Sequence, residues 1–195
     1  MKRIFAIALI CSLLCTTRIY SQVGSHFAMQ YDISFGIGDL GDYISAASFR
    51  GATFQYRYAV NSNILIGIDA AWNVFYEKKD YDSYTMDTRT LSGVQCRHQN
   101  QVPILAAVDY LFKPGSTLQP YIGFGLGTMY SERYTEMGIW ALENNPWQFV
   151  IKPELGGMYR FNARNAAKLS LRYYSGFGGD LDTQSYLSVS IGFVL

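Results

Sequence analysis

The sequence predicts an all-β chain that folds as an eight-stranded, antiparallel, up-and-down transmembrane β-barrel. Three observations carry this prediction. Apolar residues alternate with small or polar residues in eight stretches, the connections between these stretches are alternately short and long, and charged residues lie on the faces opposite the apolar ones. Because successive side chains of a strand point to opposite sides, each stretch has one apolar face and one polar face.

The segment before the barrel is predicted to be a cleaved secretory signal. Two cations precede an apolar run from Ile4 to Cys15, and a short polar stretch then ends at Ser21. A charged segment, an apolar segment of this length and a cleavage region make up such a signal. We therefore divide the chain into a signal at 1–21 and a barrel domain at 22–195, in which Cys96 is the only cysteine and no internal disulfide can form.

The first four predicted strands place large apolar residues at every second position. The segments "FAMQYDISFGI" (27–37) and "TFQYRYAV" (53–60) do so mainly with aromatic and branched residues, which favour strands. The segments "ILIGIDAAWNV" (64–74) and "QVPILAAVDY" (101–110) do so mainly with isoleucine and valine. Apart from Leu65 and Leu105, the opposite face of all four is small or polar, so the two faces require different surroundings.

The other four predicted strands repeat the pattern, and the first of them explains it. In "LQPYIGFGLGTMY" (118–130), glycine is every second residue from 123 to 127 and fills three successive positions of one face, while the other face is apolar apart from Thr128. Glycine weakens a strand unless another group approaches closely, and the interior of a narrow barrel is such a place. The same two faces recur in "FVIKPELGGMYR" (149–160), "LSLRYY" (169–174) and "LSVSIGFVL" (187–195).

The connections indicate which way the barrel points. Short turns are predicted at "NSN", "KPGS" and "NARNAA", and longer loops at "GDLGDYISAAS", roughly 77–100, 131–147 and 178–185. Outer-membrane barrels have short periplasmic turns and longer extracellular loops, so the long connections are predicted to be extracellular. Aromatic residues near both ends of the spans fit two interfacial girdles.

The charged residues of the predicted strands all fall on the small, polar faces. Four acids and four bases would therefore face the lumen, where paired charges are tolerated and unpaired ones are costly. Eight strands leave an interior only wide enough for side chains, so we expect a closed lumen and no channel. The predicted lumen charge network consists of Asp32, Arg57, Asp69, Asp109, Lys152, Glu154, Arg160 and Arg172.

The segments "PYIGFGLGTMY", "KPELGGMYRF", "KLSLRYY" and "SYLSVSIGFVL" resemble those of the small eight-stranded outer-membrane barrels of the OmpA/OmpX type, the outer membrane protein beta-barrel domain group. The resemblance implies an outer-membrane location in a Gram-negative cell envelope and contact with outer-membrane lipid and lipopolysaccharide. It also implies that the barrel-insertion machinery recognises the last strand as a C-terminal insertion signal. The residues of this signal are Leu187, Val189, Ile191, Phe193 and Leu195. The family usually ends in phenylalanine, and here Leu195 replaces it. The start in "SQ" after the signal resembles proteins of the Bacteroidota.

None of these motifs specifies an activity, and we expect a monomer without catalytic site, cofactor or metal that acts through its extracellular loops. Aromatic residues there suit a protein partner: Tyr43, Tyr81, Tyr84, Tyr134 and Trp140. The near-zero net charge argues against nucleic acid. Two alternatives are a lipid A-modifying enzyme, for which only His26 and His98 are available, and a soluble periplasmic barrel that binds an apolar ligand. Loop acids at 80–84 and 178–182 are interpreted as solvated, because calcium-loop spacing is missing.

Overall fold

The computed structural model describes residues 24–86, 89–137, 140–162, 165–179 and 183–195, so the predicted signal lies outside the described residues. This part of the chain contains nine strands and one short helix. In chain order, these elements are β1 (Ser25–Ile37), α1 (Asp39–Tyr43), β2 (Ser48–Ala59), β3 (Ile64–Met86), β4 (Arg89–Leu111), β5 (Leu118–Met137), β6 (Trp140–Asn144), β7 (Trp147–Arg160), β8 (Ala166–Phe177) and β9 (Gln184–Val194).

Eight of these strands form a closed antiparallel barrel, which confirms the predicted fold class. The sheet runs in the order β4, β3, β2, β1, β9, β8, β7 and β5, and pairing of β4 with β5 closes it. The short strand β6 lies outside the ring and pairs with β5. We call the end with the short turns after β2, β4 and β7 the turn end, and the opposite end the loop end.

The strands of the barrel are strongly tilted. Directly paired residues can be followed once around the barrel from Val194 on β9, and the path returns to β9 at Gln184, ten residues along the strand. Closure of a sheet into a barrel requires such a stagger. As a consequence, residues distant along the chain meet in the lumen at one level.

Two of the predicted long loops are wrong, because the structure has strands there. Strands β3 and β4 stay paired up to Met86 and Arg89, across most of the predicted loop 77–100. Strand β5 likewise continues to Met137 and pairs with β6. The apolar alternation stops where these strands leave the apolar band. Both faces then carry polar residues, and the periodic signal that reveals a strand is lost.

As predicted, the apolar face of the barrel points outward and the polar face points into the lumen. Large apolar residues point outward around the whole ring, as Ile68, Phe124 and Leu155 do, and remain exposed. The inward glycines make room for the lumen side chains. A Cβ atom on Gly123 would lie 2.6 Å from Asp109 Oδ1, and one on Gly127 would overlap the carbonyl oxygen of Ile104. This arrangement is the reverse of a soluble barrel, whose apolar face lies inside.

The first loop folds back over the barrel. Gly38, with φ of 59°, turns the chain into α1, and glycine adopts this conformation without strain. A Cβ on Gly41 would lie 2.8 Å from the carbonyl oxygen of Gly36, so α1 packs closely on the end of β1. No helix among the described residues is both long enough and apolar enough to cross a membrane.

Candidate functional site: a closed lumen and a protruding sheet

A network of buried ion pairs fills the middle of the lumen. Lys152 donates to Asp69 and, at 2.6 Å, to Glu154 Oε2. Arg57 forms ion pairs with the same Asp69 at 2.5 Å and with Asp109 at 2.7 Å. Inward glycines on β5 leave the space that these long side chains occupy.

The network continues toward β8 and β1. Arg172 Nη1 lies 3.3 Å from Asp32 Oδ1, and Arg172 Nε lies 3.4 Å from Glu154 Oε2. Lys168 donates to Gln55 Oε1 at 2.7 Å and lies 3.5 Å from Glu154 Oε1. Each carboxylate thus has a cationic neighbour, as buried charges require.

Seven of the eight predicted lumen charges lie in this network, and Arg160 does not. Arg160 is partly exposed at the turn end and lines a small chamber there together with His26. The fourth base is Lys168, which the sequence analysis omitted. Its even-numbered position shares the face of Ser170 and Arg172, so the alternation could have found it if the predicted strand had started earlier than residue 169.

A layer of amides and hydroxyls lies above the ion pairs, toward the loop end. Gln99 Nε2 donates to Gln184 Oε1 at 2.8 Å, and Arg133 donates to both of their amide oxygens at 3.1 Å. Ser131 Oγ donates to Gln101 Oε1 at 2.7 Å. These bonds cross the lumen between β4, β5 and β9, and they tie its walls together.

The apolar residues of α1 close the loop end of the barrel. Leu40 and Ile44 are fully buried and pack inside the barrel mouth. They belong to an apolar cluster that also contains Phe75, Leu105, Met129, Val150, Tyr174 and Tyr186. We call residues 38–45 the strap, because this segment crosses the mouth and blocks it.

Polar contacts with the extended strands hold the strap. Glu77 accepts hydrogen bonds from the backbone N–H and hydroxyl of Ser45, both at 2.8 Å. Burial would raise the pKa of Glu77, but hydrogen bonds from Lys79 and Ser45 outweigh it and lower the pKa. The carboxylate is therefore charged at neutral pH, and this contact weakens only when acid protonates it.

Tyr43 anchors the middle of the strap. Its ring lies under two guanidinium groups, with Arg133 at 4.1 Å and Arg97 at 4.9 Å from the ring centre. Arg97 also donates to the carbonyl oxygen of Tyr43 at 2.6 Å, and the hydroxyl bonds to Thr135. The sequence analysis assigned Tyr43 to partner contact, and in the structure its side chain holds the strap.

We expect the purified protein to form no large pore in planar bilayers. The ion pairs, the amide layer and the strap each obstruct the lumen, so current recordings should show no steady conductance steps of porin size. Brief, small openings are compatible with this expectation. Reproducible open-channel steps of porin size would contradict the closed lumen.

Beyond the barrel, residues 74–86 of β3, 89–100 of β4 and 131–137 of β5 form a sheet with β6. We call it the protruding sheet. One row of its outward face consists of directly paired residues, Tyr76, His98, Tyr134 and Glu143, one from each strand. Tyr76 and His98 stack with ring centres 4.6 Å apart. A groove of 380 Å³ on this face is lined by His98, Asn100, Glu132, Tyr134, Glu136 and Glu143.

The remaining candidate residues lie on the strands of the protruding sheet. Cys96, predicted in a loop, lies on β4 and is partly exposed. His98 also lies on β4, and among the described residues it makes no hydrogen bond to a serine, cysteine or carboxylate. Tyr81 is exposed on β3, whereas the side chains of Tyr84 and Trp140 lie outside the described part. Within the described ranges, no three His, Cys, Asp or Glu side chains are grouped so that they could hold a metal ion.

No protein-family model and no curated protein matches the chain, whereas several solved structures do. Neisserial surface protein A (NspA) is 12% identical, with a TM-score of 0.58 over 90% of this chain and 99% of NspA. Ail, the attachment invasion locus protein of Yersinia pestis, is 11% identical, with a TM-score of 0.54 over 88% of this chain and 97% of Ail. OprG, an outer membrane protein from Pseudomonas aeruginosa, is 14% identical, with a TM-score of 0.51 over 88% of this chain and 94% of OprG.

At these identities the similarity concerns the fold. The chain has the fold of the small eight-stranded outer-membrane barrels. The resemblance to OmpA/OmpX-type proteins is thus supported at the level of architecture, and the role of the protein has to be argued from its own surfaces.

Proposed function

We propose that the protein is a monomeric, non-enzymatic outer-membrane barrel with a closed lumen, whose protruding sheet binds a partner at the cell surface. The observation that carries this proposal is the length of β3 and β4, which have 23 residues each. A membrane-spanning strand needs only about 9–11 residues. Roughly a dozen residues of each strand, or about 40 Å, therefore extend beyond the span.

The outside of the barrel supports the membrane location. Exposed apolar side chains surround it, and a membrane barrel presents such a band to lipid. Aromatic residues lie exposed toward both ends, with Tyr110 and Phe161 at the turn end and Trp72 and Trp147 toward the loop end. In this proposal the residues of the C-terminal insertion signal lie within the lipid-facing band. Origin in the Bacteroidota stays a prediction from the sequence.

The protruding sheet supports the binding role. Its outward face carries aromatic rings next to carboxylates, as in the row from Tyr76 to Glu143. Aromatic residues with polar neighbours are typical of recognition surfaces. A sheet also holds its side chains in fixed positions, so less conformational entropy is lost on binding than with a mobile loop.

The orientation of the barrel can be tested by thiol labelling on intact cells. Cys96 lies on the protruding sheet, whereas Ser62 is exposed in the turn between β2 and β3 at the other end. We expect a membrane-impermeant maleimide to label Cys96 on intact cells. A Cys96→Ser protein with Ser62→Cys should be labelled only after the outer membrane has been breached.

Labelling of Ser62→Cys but not of Cys96 on intact cells would invert the orientation. Equal labelling of both proteins in a soluble fraction would contradict the membrane location and favour the periplasmic barrel. Gel mobility with and without heating, measured on the same samples, reports whether each variant is folded.

The binding role can be tested with photo-crosslinking residues introduced on intact cells. We expect a discrete cross-linked protein with the probe at Lys78 or Tyr81 on β3, and none with the probe at Leu118 at the turn end, although all three positions are exposed. Cross-links only to lipopolysaccharide at every position would contradict the proposal.

A shortened hairpin provides the matched control. Lys79 and Gln95 are directly paired, so deletion of 80–94 and connection through Asn-Gly keeps the register with a two-residue turn. This variant should retain heat-modifiable mobility and lose the cross-link at Lys78. Retention of that cross-link would show that the deleted part of the sheet is not needed for binding.

A further inference from the structure

We propose that the loop-end half of the lumen is a binding site for an aliphatic carboxylate, and that Leu40 and Ile44 of the strap occupy the place of its hydrocarbon chain. The proposal goes beyond the surface-binding role, because it concerns the inside of the barrel. It rests on a group of buried donors without partners and on the apolar cluster directly above them.

Four polar side chains beneath the strap have donors without hydrogen-bond partners among the described residues. The donor atoms are Asn73 Nδ2, Arg172 Nη2 and the hydroxyls of Tyr174 and Tyr186. All four residues are fully buried. Buried donors in native proteins almost always have a partner, and each exception requires an explanation. A ligand with strong acceptor oxygens explains four of them together.

The four donors surround one region of the lumen. Tyr174 and Tyr186 are directly paired between β8 and β9, and their rings stack at 4.5 Å. Arg172 precedes Tyr174 by two residues and shares its inward face. The side chain of Asn73 on β3 lies beside the Tyr186 hydroxyl.

The chemistry of these groups selects the polar part of the ligand. Asn73 Oδ1 already accepts a hydrogen bond from Ser34 Oγ at 2.9 Å, and the unpartnered atom of Asn73 is the donor Nδ2. The guanidinium group of Arg172 can only donate hydrogen bonds. Its Nη2 atom has no partner among the described residues, although Asp32 and Glu154 lie beside the group. Hydrogen bonds to an ionised acceptor are the strong ones. A carboxylate offers acceptor sites for several donors at once, so it fits this set better than a hydroxyl group does.

The apolar cluster selects the other part of the ligand. The strap inserts two aliphatic side chains, Leu40 and Ile44, between the walls formed by Phe75, Met129 and Val150. A hydrocarbon chain in their place would bury the same apolar walls. Replacement of one apolar occupant by another therefore changes the hydrophobic contribution little, and the new hydrogen bonds of the carboxylate favour the ligand.

The strap can leave without disturbing the barrel. The hydrogen bonds that hold it, from Ser45 to Glu77, from Arg97 to the Tyr43 carbonyl and between the Tyr43 hydroxyl and Thr135, are made with the loop-end parts of β3, β4 and β5. Such polar contacts can be replaced by water. A ligand that binds only when the strap is displaced selects this conformation, and its apparent affinity depends on how firmly the strap is held.

The test is a titration of the folded full-length protein, ¹³C-labelled in its methyl groups and held in lipid nanodiscs, with dodecanoate. NMR should show the methyl resonances of Leu40 and Ile44 moving away from their ring-shifted positions in a saturable manner. The methyl groups of Ile68 and Ile191, which face lipid, report simple partition of dodecanoate into the bilayer. Shifts at Ile68 and Ile191 without shifts at Leu40 and Ile44 would overturn the proposal.

Two comparisons test the assignment of the polar group. A Tyr174→Phe, Tyr186→Phe double variant keeps both rings and should bind dodecanoate about tenfold more weakly. In the unaltered protein, methyl dodecanoate should bind more weakly than dodecanoate. Equal binding of acid and ester would overturn the carboxylate assignment even if the double variant fails to fold.

The role of the strap is tested by Glu77→Gln, which weakens the bonds to Ser45 outside the proposed site. This variant should bind dodecanoate more tightly, because the strap is displaced more easily. Unchanged affinity would show that the strap does not compete with the ligand, and would overturn this part of the proposal.

Discussion

Replacement of Lys152 by methionine is expected to lower the free energy of unfolding by about 3–5 kcal/mol. Lys152 is fully buried and donates to both Asp69 and Glu154. Methionine fills a similar volume but leaves two carboxylates with less cationic charge nearby. Removal of one partner from a buried ion pair is costly because the remaining charge has lost its compensation. Denaturant unfolding from lipid vesicles measures the effect.

The matched control removes an acid together with the base. A Lys152→Met, Glu154→Gln double variant keeps the charges of the lumen balanced, so its loss should be smaller than the sum of the two single losses. Strictly additive losses would show that the two side chains do not act as a pair. If Lys152→Met alone lowered the free energy of unfolding by less than about 1 kcal/mol, Lys152 would contribute no more than an exposed ion pair does. This result would contradict the buried network.

Replacement of Phe124 by arginine is expected to cost about 2–4 kcal/mol if Phe124 lies near the middle of the bilayer. Phe124 is exposed on the outside of β5, among the apolar residues that surround the barrel. A guanidinium group there would have to leave water and enter hydrocarbon. The same unfolding measurement in vesicles gives the value, and Phe124→Leu, which stays apolar, should have little effect.

Replacement of the next residue, Gly125, by arginine provides a second control, because it should destabilise the barrel for a different physical reason. Gly125 faces the lumen, where a Cβ would lie 3.2 Å from Lys152 Cε and 3.5 Å from Leu105 Cδ1. Gly125→Arg should therefore fail by overfilling the lumen and by placing a like charge beside Lys152, in detergent as well as in lipid. Phe124→Arg should be better tolerated in detergent micelles, where the side chain can reach water. Equal behaviour of the two variants in both media would contradict the assignment of the faces of β5.

The sequence by itself determined the number of barrel strands, the two faces of each strand, and which of these faces points outward. This information is local, because an apolar residue at every second position is a property of one strand and does not depend on its neighbours. The inward position of Gly123 and Gly127 and of seven of the eight predicted charges follows from the same alternation. The short turns were also readable, since proline, glycine and asparagine mark them.

Only the tertiary structure decided how far the strands extend and what meets in the lumen. Strands β3 to β5 continue beyond the apolar band, where both faces carry polar residues and the apolar alternation stops. The stagger of the closed barrel brings Lys168 rather than Arg160 into the ion-pair network. The strap depends on close backbone contact between Gly36 and Gly41, and the unpartnered donors come from β3, β8 and β9. Such meetings between distant segments depend on register and closure, which alternation within single strands does not encode.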